Sequence, residues 1–204
     1  MQRVVAAFDF DGTLSRRDSL VPFLRRLCGD PPVLAAILTR LPLLLAAGAG
    51  RVSRGRAKEA LLRPLLGGRL LADVEPVAGA FASRLLGSGM WPPGMERLEW
   101  HRGRGDDVVI VSASPELYLA PLGRALGVRA VLATGLEVDA RGRLTGRLAG
   151  DNVRGAEKVA RLDAWLAGDP AEVWAYGNSD GDRQLLARAD HGFLRRGPGF
   201  TPTR

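Results

Sequence analysis

The sequence has very little cysteine, and this scarcity limits how the fold can be held together. Cys28 is the only cysteine among 204 residues, so the chain cannot form an internal disulfide. Such a composition is typical of proteins in the reducing interior of a cell, and we expect a cytoplasmic protein. The N-terminus also lacks a signal-peptide pattern, because the short apolar run before Asp9 passes straight into acidic residues without a cleavage site.

The sequence also lacks an uninterrupted apolar run of the about 20 residues that a transmembrane helix needs. Its most apolar stretch, residues 31–50, is broken by Arg40, Pro42 and several glycines. We therefore expect this stretch to be either a helix buried between other helices or a helix that touches a membrane surface, and not a spanning helix.

Acidic residues are too few to balance the basic ones. The chain carries 29 Lys and Arg against 22 Asp and Glu, which gives a net charge of +7. A basic protein favours anionic partners such as phosphorylated metabolites, anionic lipids or nucleic acid. The arginines are spread along the chain, without a zinc-finger or aromatic RNA-binding pattern. We therefore expect no nucleic acid as a partner and read the positive charge as a solvated surface that attracts an anionic substrate, for which a small phosphorylated metabolite is one candidate.

Hydrophobic residues make up 46% of the chain, enough to bury a core, and they occur in a regular order. Residues 4–8, 108–111 and 173–176 are short apolar runs that stop at polar residues or glycine, as buried parallel strands do. Residues 136–148 contain turn residues at 139–142 and predict a hairpin. Helical segments separate these strands. The order predicts an α/β fold, a Rossmann-like doubly wound parallel sheet with helices on both faces.

Residues 16–90 interrupt the alternation of strands and helices. Their leucines recur at helical spacing, and glycines and prolines punctuate the helices. We interpret residues 16–90 as an inserted helical cap, and residues 1–15 and 91–204 as the α/β core. The Gly-, Pro- and Arg-rich segment from Arg195 onward predicts a mobile tail.

Three predicted strands end in polar residues that suit phosphate chemistry. Asp9 and Asp11 follow the first strand, Ser112 follows the second, and Asn178 with Asp182 follows the last. One such ending would be read as a helix cap or a turn. Ligands of an open parallel sheet bind beyond the carboxyl ends of its strands, so three endings together predict one site.

The order of these residues resembles the haloacid-dehalogenase (HAD) superfamily. Asp9-Phe10-Asp11-Gly12-Thr13 is similar to its first motif, Ser112 to the second, Lys158 to the third and residues 177–182 to the fourth. The helical insertion directly after the first motif resembles the C1 cap of subfamily IB, the phosphoserine-phosphatase-like branch. The resemblance implies a phosphatase that hydrolyses phosphomonoesters with the help of Mg²⁺.

The resemblance gives the two aspartates of the first motif different roles. Asp9 is the nucleophile, which forms an aspartyl phosphate while it shares a magnesium ion with the substrate. Asp11 provides its backbone carbonyl to the metal, and its side chain protonates the leaving alcohol and then activates water. An acid at this second position is shared by the phosphatases of the superfamily.

Phosphate binding is assigned to the second and third motifs. Ser112 binds a phosphate oxygen together with the backbone N–H groups of Ala113 and Ser114. The alternative for Ser112 is the N-cap of the helix predicted from residue 115, a role for which Ser114 is the better candidate. Lys158 neutralises the phosphate and the nucleophile. Its competitors are two neighbouring arginines, Arg154 and Arg161.

The fourth motif departs from the common pattern, which begins with Gly-Asp. Asn178 stands in place of the aspartate, so the metal site lacks one negative charge. An asparagine carbonyl oxygen is still a hard ligand for magnesium, and Asp180 is the alternative. Asp182 is expected to hold a metal-bound water or Lys158. The predicted metal-binding set is therefore Asp9, Asp11, Asn178 and Asp182.

The cap is expected to select the leaving group. Asp18 stands where the resemblance implies a glutamate that binds the amine of phosphoserine, although it can equally cap the helix near Ser19. Lys58 stands about where an arginine binds the substrate carboxylate, and lysine is a poor substitute for a bidentate arginine. Its competitors are Arg54 and Arg56. A phosphoserine-like substrate and a lipid-like phosphoester both remain open.

Two further functions are compatible with the sequence. A phosphotransferase would pass the aspartyl phosphate to a second alcohol. A basic protein that binds a membrane or a nucleic acid without turnover is the non-enzymatic alternative, and it leaves the residues of the four motifs without a role.

Overall fold

A seven-stranded sheet runs through the molecule, and the computed structural model describes the chain over residues 3–203. The strands are β1 Val4–Phe8, β2 Asp107–Pro115, β3 Ala130–Val138, β4 Leu144–Ala149, β5 Glu172–Gly177, β6 His191–Arg196 and β7 Gly199–Pro202. Their order in the sheet is β4-β3-β2-β1-β5-β6-β7. The pairs β3–β4 and β6–β7 are antiparallel, and the neighbours between them are parallel. The predicted α/β class with a doubly wound sheet is confirmed.

The part of the chain that the structure describes also contains eight α-helices. They are α1 Leu20–Cys28, α2 Asp30–Gly48, α3 Arg54–Leu66, α4 Leu71–Arg84, α5 Pro92–Gly103, α6 Glu116–Leu126, α7 Ala156–Leu166 and α8 Arg183–Arg188. A π-helical turn, Leu85–Gly89, extends α4, and a 3₁₀ turn, Asp180–Asp182, precedes α8.

Alternating residues of β1 face two separate hydrophobic cores. Ala6 and Phe8 pack with buried residues of α5 and α6 on one face of the sheet. Val5 and Ala7 pack with buried residues of α7 and α8 on the other face. Both faces of the central strands are covered, which explains why these strands read as continuous apolar runs in the sequence.

Helices α1 to α4 lie between β1 and β2 in the chain. An isolated bridge pairs Ser15 with Met90, so the chain leaves and re-enters the sheet region at neighbouring points. Phe23 of α1 and Phe81 of α4 pack their rings against Tyr118 of α6, at centroid distances of 5.0 and 5.3 Å. Aromatic contacts of this kind fix the inserted helices against the sheet layer.

Two local predictions were wrong. The segment from Arg195 is not a mobile tail, because it completes β6 and forms the hairpin with β7. Phe193 and Phe200 of this hairpin pack on Tyr176, at centroid distances of 5.1 and 5.0 Å. Strand β2 also continues beyond Ser112 to Pro115 through a register shift, so the next helix begins at Glu116 and not at residue 115.

Candidate active site

The carboxyl ends of β1, β2 and β5 open into one cavity of about 1260 Å³. These three strands are neighbours in the sheet, so residues far apart in the sequence meet at one edge. Every sequence-predicted site residue lines this cavity: Asp9, Asp11, Asp18, Lys58, Ser112, Ala113, Ser114, Lys158, Asn178 and Asp182. Helices α1 to α3 contribute the opposite wall.

Asp9 lies at the floor of the cavity, directly after β1. Its backbone N–H still donates to the carbonyl of Tyr176 on β5, at 2.9 Å, which holds the residue in the sheet ladder. Its side chain accepts hydrogen bonds from Lys158, at 2.6 Å, and from the hydroxyl of Thr13, at 3.2 Å. Burial raises the pKa of Asp9 to about 6, and the charge of Lys158 limits that rise.

Lys158 joins two carboxylates in the floor of the cavity. It projects from the first turn of α7, is 2% exposed, and its Nζ contacts Asp9 Oδ1 and Asp182 Oδ1, each at 2.6 Å. Burial lowers the pKa of Lys158, but the two carboxylates outweigh burial and hold the pKa above its ordinary value. The ammonium group is therefore charged at neutral pH.

Asp182 organises the loop that follows β5. Its Oδ2 accepts hydrogen bonds from the N–H groups of Asn178 and Ser179 and from the Ser179 hydroxyl, at 3.1, 2.9 and 2.9 Å. Its other oxygen is held by Lys158. Burial opposes ionisation, but Lys158 and the backbone donors lower the pKa of Asp182. Asp182 therefore contacts Lys158 with one oxygen and orders the Asn178 loop with the other.

Asp11 is held by the loop at the end of β2. The Ser114 hydroxyl donates to its Oδ2, whereas Oδ1 is buried and has no hydrogen-bond partner within residues 3–203. Burial and the charge of Asp18 raise the pKa of Asp11 to about 7. A carboxyl group with this pKa can change its protonation state near neutral pH.

Ser114 does not cap the following helix, which corrects the role predicted for it. Pro115 occupies the N-cap position of α6, while the Ser114 side chain turns to Asp11 and lies near the hydroxyl of Ser19. The register shift in β2 redirects this part of the chain. Ser112 is 1% exposed, and its hydroxyl accepts a hydrogen bond from the Ser114 N–H, at 3.1 Å.

Asn178 lies against the loop of the first motif. Gly12 has a φ of +73°, and a Cβ atom at this position would collide with the side-chain amide of Asn178. Glycine is therefore needed both for the backbone conformation and for the close approach. Asp180 is exposed and lines a shallow neighbouring pocket instead of the main cavity. The geometry favours Asn178 over Asp180 as the residue of the fourth motif that faces Asp9 and Asp11.

The oxygen atoms around the first motif have the chemistry of a magnesium site. In the described part of the chain, no three His, Cys, Asp or Glu side chains group as they do in a site built from such ligands. The oxygen donors that line the cavity are instead mixed: the carboxylate of Asp9 and the amide oxygen of Asn178, to which the resemblance adds the backbone carbonyl of Asp11. Magnesium prefers such hard oxygen ligands and keeps several waters, so this small set fits the ion.

Lys58 reaches across from α3 to the loop at the end of β2. Its Nζ donates to the carbonyl of Ala113 and to Asn152 Oδ1, each at 2.5 Å. Burial lowers the pKa of Lys58 to about 8. Asp18 accepts a hydrogen bond from the N–H of Leu20, the first residue of α1, at 3.1 Å, whereas Ser19 occupies the N-cap position of this helix. Asp18 also lines the cavity, so its contact with α1 does not exclude binding of a substrate amine.

Sequence reasoning missed three arginines of the cavity wall, Arg16, Arg17 and Arg195, and named Arg54 and Arg154 only as competitors of the two lysines. Arg195 stacks on Trp91 at 3.8 Å and donates to the carbonyl of Gly12, at 2.6 Å. No local sequence pattern predicts that Arg195 lines the cavity, because its position depends on the pairing of β6 with β5. The two chosen lysines did carry a signal: Lys58 and Lys158 are the only lysines among 29 basic residues, and both enter the cavity.

Known proteins share both the sequence pattern and the fold. The family model of the haloacid dehalogenase-like hydrolases matches residues 6–187. Protein CicA from Caulobacter vibrioides is 38% identical over 187 residues, which cover 92% of this chain and 83% of CicA. A crystal structure of a protein of unknown function from Bordetella pertussis Tohama I is 28% identical, with a TM-score of 0.78 over 92% of this chain and 87% of its own. A substrate-bound phosphoserine phosphatase has a TM-score of 0.66 at 19% identity over 95% and 85% of the two chains.

The family match agrees with the fold and with the position of the motif residues at the strand ends. The chain belongs to the haloacid dehalogenase-like hydrolase family. The predicted resemblance to the haloacid-dehalogenase superfamily is confirmed, as is the prediction that the protein is an enzyme of this class.

Proposed function

We propose that the protein is a magnesium-dependent phosphomonoesterase that works through an aspartyl phosphate on Asp9. The observation that carries this proposal is the contact of Asp9 with Lys158, at 2.6 Å, on the floor of the cavity. A buried carboxylate beside a permanent cation stays available as a nucleophile, and the cation also attracts the phosphate. Asp11, with its free oxygen two residues further on, supplies the acid that the leaving alcohol requires.

The metal would be held by the carboxylate of Asp9, the backbone carbonyl of Asp11 and the amide oxygen of Asn178. When bound, magnesium reduces the repulsion between the anionic nucleophile and the anionic phosphate and orients both for in-line attack. Asp182 supports this arrangement through its hydrogen bonds to the N–H groups of Asn178 and Ser179.

The protein residues then carry out two substitutions at phosphorus. A carboxylate oxygen of Asp9 forms a bond to phosphorus, the bond to the alcohol oxygen breaks, and Asp11 gives its proton to that oxygen. A water molecule next attacks the same phosphorus, Asp11 takes a proton from it, and the bond to Asp9 breaks to release phosphate. The pKa of Asp11, raised to about 7, suits both the donation and the return of the proton.

The phosphate oxygens are proposed to bind between the second and third motifs. Lys158 offers charge, Ser112 offers a hydroxyl, and Ala113 offers a backbone N–H group, whereas the Ser114 N–H donates to the Ser112 hydroxyl. Lys58 holds this loop through the Ala113 carbonyl. A cytoplasmic location, expected from the unpaired Cys28, belongs to the same proposal.

We further propose that residues 16–90 form the cap and that residues 1–15 and 91–204 form the core. The wall that α1 to α3 give to the cavity includes five apolar side chains, Leu20, Val21, Ile37, Leu44 and Leu61. Phosphoserine would leave such a wall uncovered, whereas a phosphomonoester of an alcohol with an apolar part would cover it. The apolar wall therefore favours the lipid-like alternative over a small polar metabolite.

The test is release of phosphate from a generic aryl phosphate, with and without magnesium. We expect magnesium-dependent turnover that falls by about 10³-fold or more in Asp9→Asn. Asp73→Asn, a change at an exposed acid of α4, is the matched control and should keep full activity. Equal turnover by Asp9→Asn and the unchanged protein would refute the nucleophile and with it the proposed function.

A further inference from the structure

Helix α2 presents a stripe of leucines to the outside of the molecule. Leu34, Leu38, Leu41 and Leu45 are 57%, 59%, 42% and 65% exposed. At 100° per residue these four positions fall within about 60° of one another around the helix axis. Scattered exposed leucines are ordinary, but a contiguous stripe of this kind marks a surface that binds an apolar partner. We call these four residues the leucine stripe.

The opposite side of α2 fixes it to the rest of the protein. Val33, Ala36 and Ala47 are buried against the neighbouring helices. Within the described residues, α2 is the one helix long and apolar enough to cross a membrane, with a mean hydropathy of 1.6, yet only 17% of its apolar window is buried. Because its inner side packs on protein and its outer side carries the leucine stripe, α2 suits the plane of a membrane interface and not a transmembrane position.

The charges around the leucine stripe identify the kind of surface that it fits. Residues 31–57 contain four basic residues and no acidic residue, and Asp30 at the start of α2 is paired with Arg25. Arg51, Arg54 and Arg56 are exposed immediately after the end of α2. An apolar stripe flanked by cations matches a bilayer with anionic headgroups. A second copy of the chain would bring the same positive charges together across a two-fold axis, which disfavours self-association.

The leucine stripe also continues into the active-site cavity. Ile37 and Leu44 of α2 line the cavity that contains Asp9. Around the helix axis, Leu41 lies between these two residues and the rest of the stripe. One side of α2 therefore forms an unbroken apolar surface from the outside of the protein to the wall of the cavity. Such a continuous surface fits a bilayer, because lipids can reach the cavity along an apolar path.

We propose that the leucine stripe of α2, flanked by Arg51, Arg54 and Arg56, docks the protein on the anionic surface of a lipid bilayer. The leucines enter the boundary between headgroups and acyl chains, and the arginines contact the headgroups. This docking is independent of the proposed phosphatase activity. Of the residues proposed to contact the membrane, Arg54 alone also lines the cavity.

The test is flotation of the full chain with vesicles of phosphatidylglycerol or of phosphatidylcholine. We expect binding to the anionic vesicles that weakens with added salt, and much weaker binding to the zwitterionic ones. Leu38→Gln with Leu45→Gln should lower the partition into anionic vesicles by about tenfold or more, since two leucines no longer enter the bilayer. The matched control is Leu70→Gln with Val138→Gln, which changes two exposed apolar residues away from α2.

A second variant separates the charge contribution from the apolar one. Arg51→Gln with Arg56→Gln should weaken binding to phosphatidylglycerol and flatten its dependence on salt. Equal vesicle binding by the stripe variant and its matched control would overturn the docking. Sedimentation that shows a dimer dispersed by Leu38→Gln with Leu45→Gln, with no vesicle binding, would overturn it as well and assign the stripe to a second copy.

Aryl phosphate hydrolysis, measured on the same preparations, keeps the docking apart from the proposed function. The stripe variant should retain this soluble activity, which also shows that it is folded. Vesicle binding without hydrolysis in the unchanged protein would support the docking while the proposed function fails. Hydrolysis without binding to phosphatidylglycerol vesicles would overturn the docking while the proposed function stands.

Discussion

Lys158→Met isolates the contribution of the buried cation to the candidate site. The replacement keeps a side chain of similar length but removes the ammonium group that contacts Asp9 and Asp182, each at 2.6 Å. Both carboxylates are almost fully buried, at 6% and 1% exposed, so solvent cannot replace the lost partner. Two negative charges then share one buried site, and the pKa of Asp9 should rise further, because the lowering effect of Lys158 is lost while burial and the charge of Asp182 still raise it.

The expected loss of stability follows from the burial of this group of three charges. Removal of one partner from a buried ion pair costs about 3–5 kcal/mol, because an uncompensated charge stays in the interior. Surface charge changes usually alter stability by about 0.5 kcal/mol or less. Magnesium near Asp9 would restore a positive charge, so it should stabilise Lys158→Met more than it stabilises the unchanged protein.

Urea unfolding with and without magnesium measures both effects. We expect a lower free energy of unfolding for Lys158→Met without metal, and a larger recovery with metal than in the unchanged protein. Arg63→Met, a change at an exposed cation of α3, serves as the control and should have a small effect. A loss below about 1 kcal/mol for Lys158→Met would mean that the two carboxylates do not depend on this lysine.

Three further changes probe the first and fourth motifs. Asp11→Asn should lower kcat/KM, which reports the first substitution, by about 10²–10⁴-fold for alkyl phosphates and much less for aryl phosphates with good leaving groups, and a loss of kcat/KM that is uniform across leaving groups would contradict its role as an acid. Gly12→Ala should lower both the free energy of unfolding and magnesium-dependent turnover, because φ at residue 12 is +73° and the new Cβ atom would collide with Asn178. Urea unfolding and the aryl phosphate assay measure the two effects, and unchanged values would contradict the need for glycine. Asn178→Asp should bind magnesium more tightly by calorimetry, and unchanged affinity would remove Asn178 from the metal site.

The central part of the site could be predicted because short stretches of sequence mark where the strands end. An apolar run that stops at Asp9, another that stops at Ser112 and a third that stops before Asn178 imply one edge of a parallel sheet. Lys158 could be chosen because it begins an apolar helix after a turn. The family match over residues 6–187 spans all of these residues.

The rest could not be predicted because it depends on tertiary pairing. Ser114 reads as a helix cap in the sequence, and only the register shift of β2 turns its hydroxyl toward Asp11. Arg195 lies in a segment whose composition is typical of a flexible tail. Its ordering comes from aromatic packing on Tyr176, a residue of β5 that local sequence does not connect to it.

Helix α2 shows a different limit of sequence reasoning. Its apolar composition left two alternatives open, a buried helix and a helix that touches a membrane. The structure separates the buried Val33, Ala36 and Ala47 from the exposed leucine stripe, and an apolar residue count alone cannot make this separation. The direction of each side chain depends on where α1 and α3 pack.

Formation of an aspartyl phosphate on Asp9 is tested most directly by chemical trapping during turnover. Borohydride reduces an acyl phosphate to an alcohol, so a trapped Asp9 becomes homoserine and is identified by mass spectrometry of the peptide that contains it. We predict this conversion at Asp9 only when substrate and magnesium are both present, and its absence in Asp9→Asn. Steady release of phosphate with no conversion at Asp9, or with conversion at another residue, would contradict Asp9 as the nucleophile.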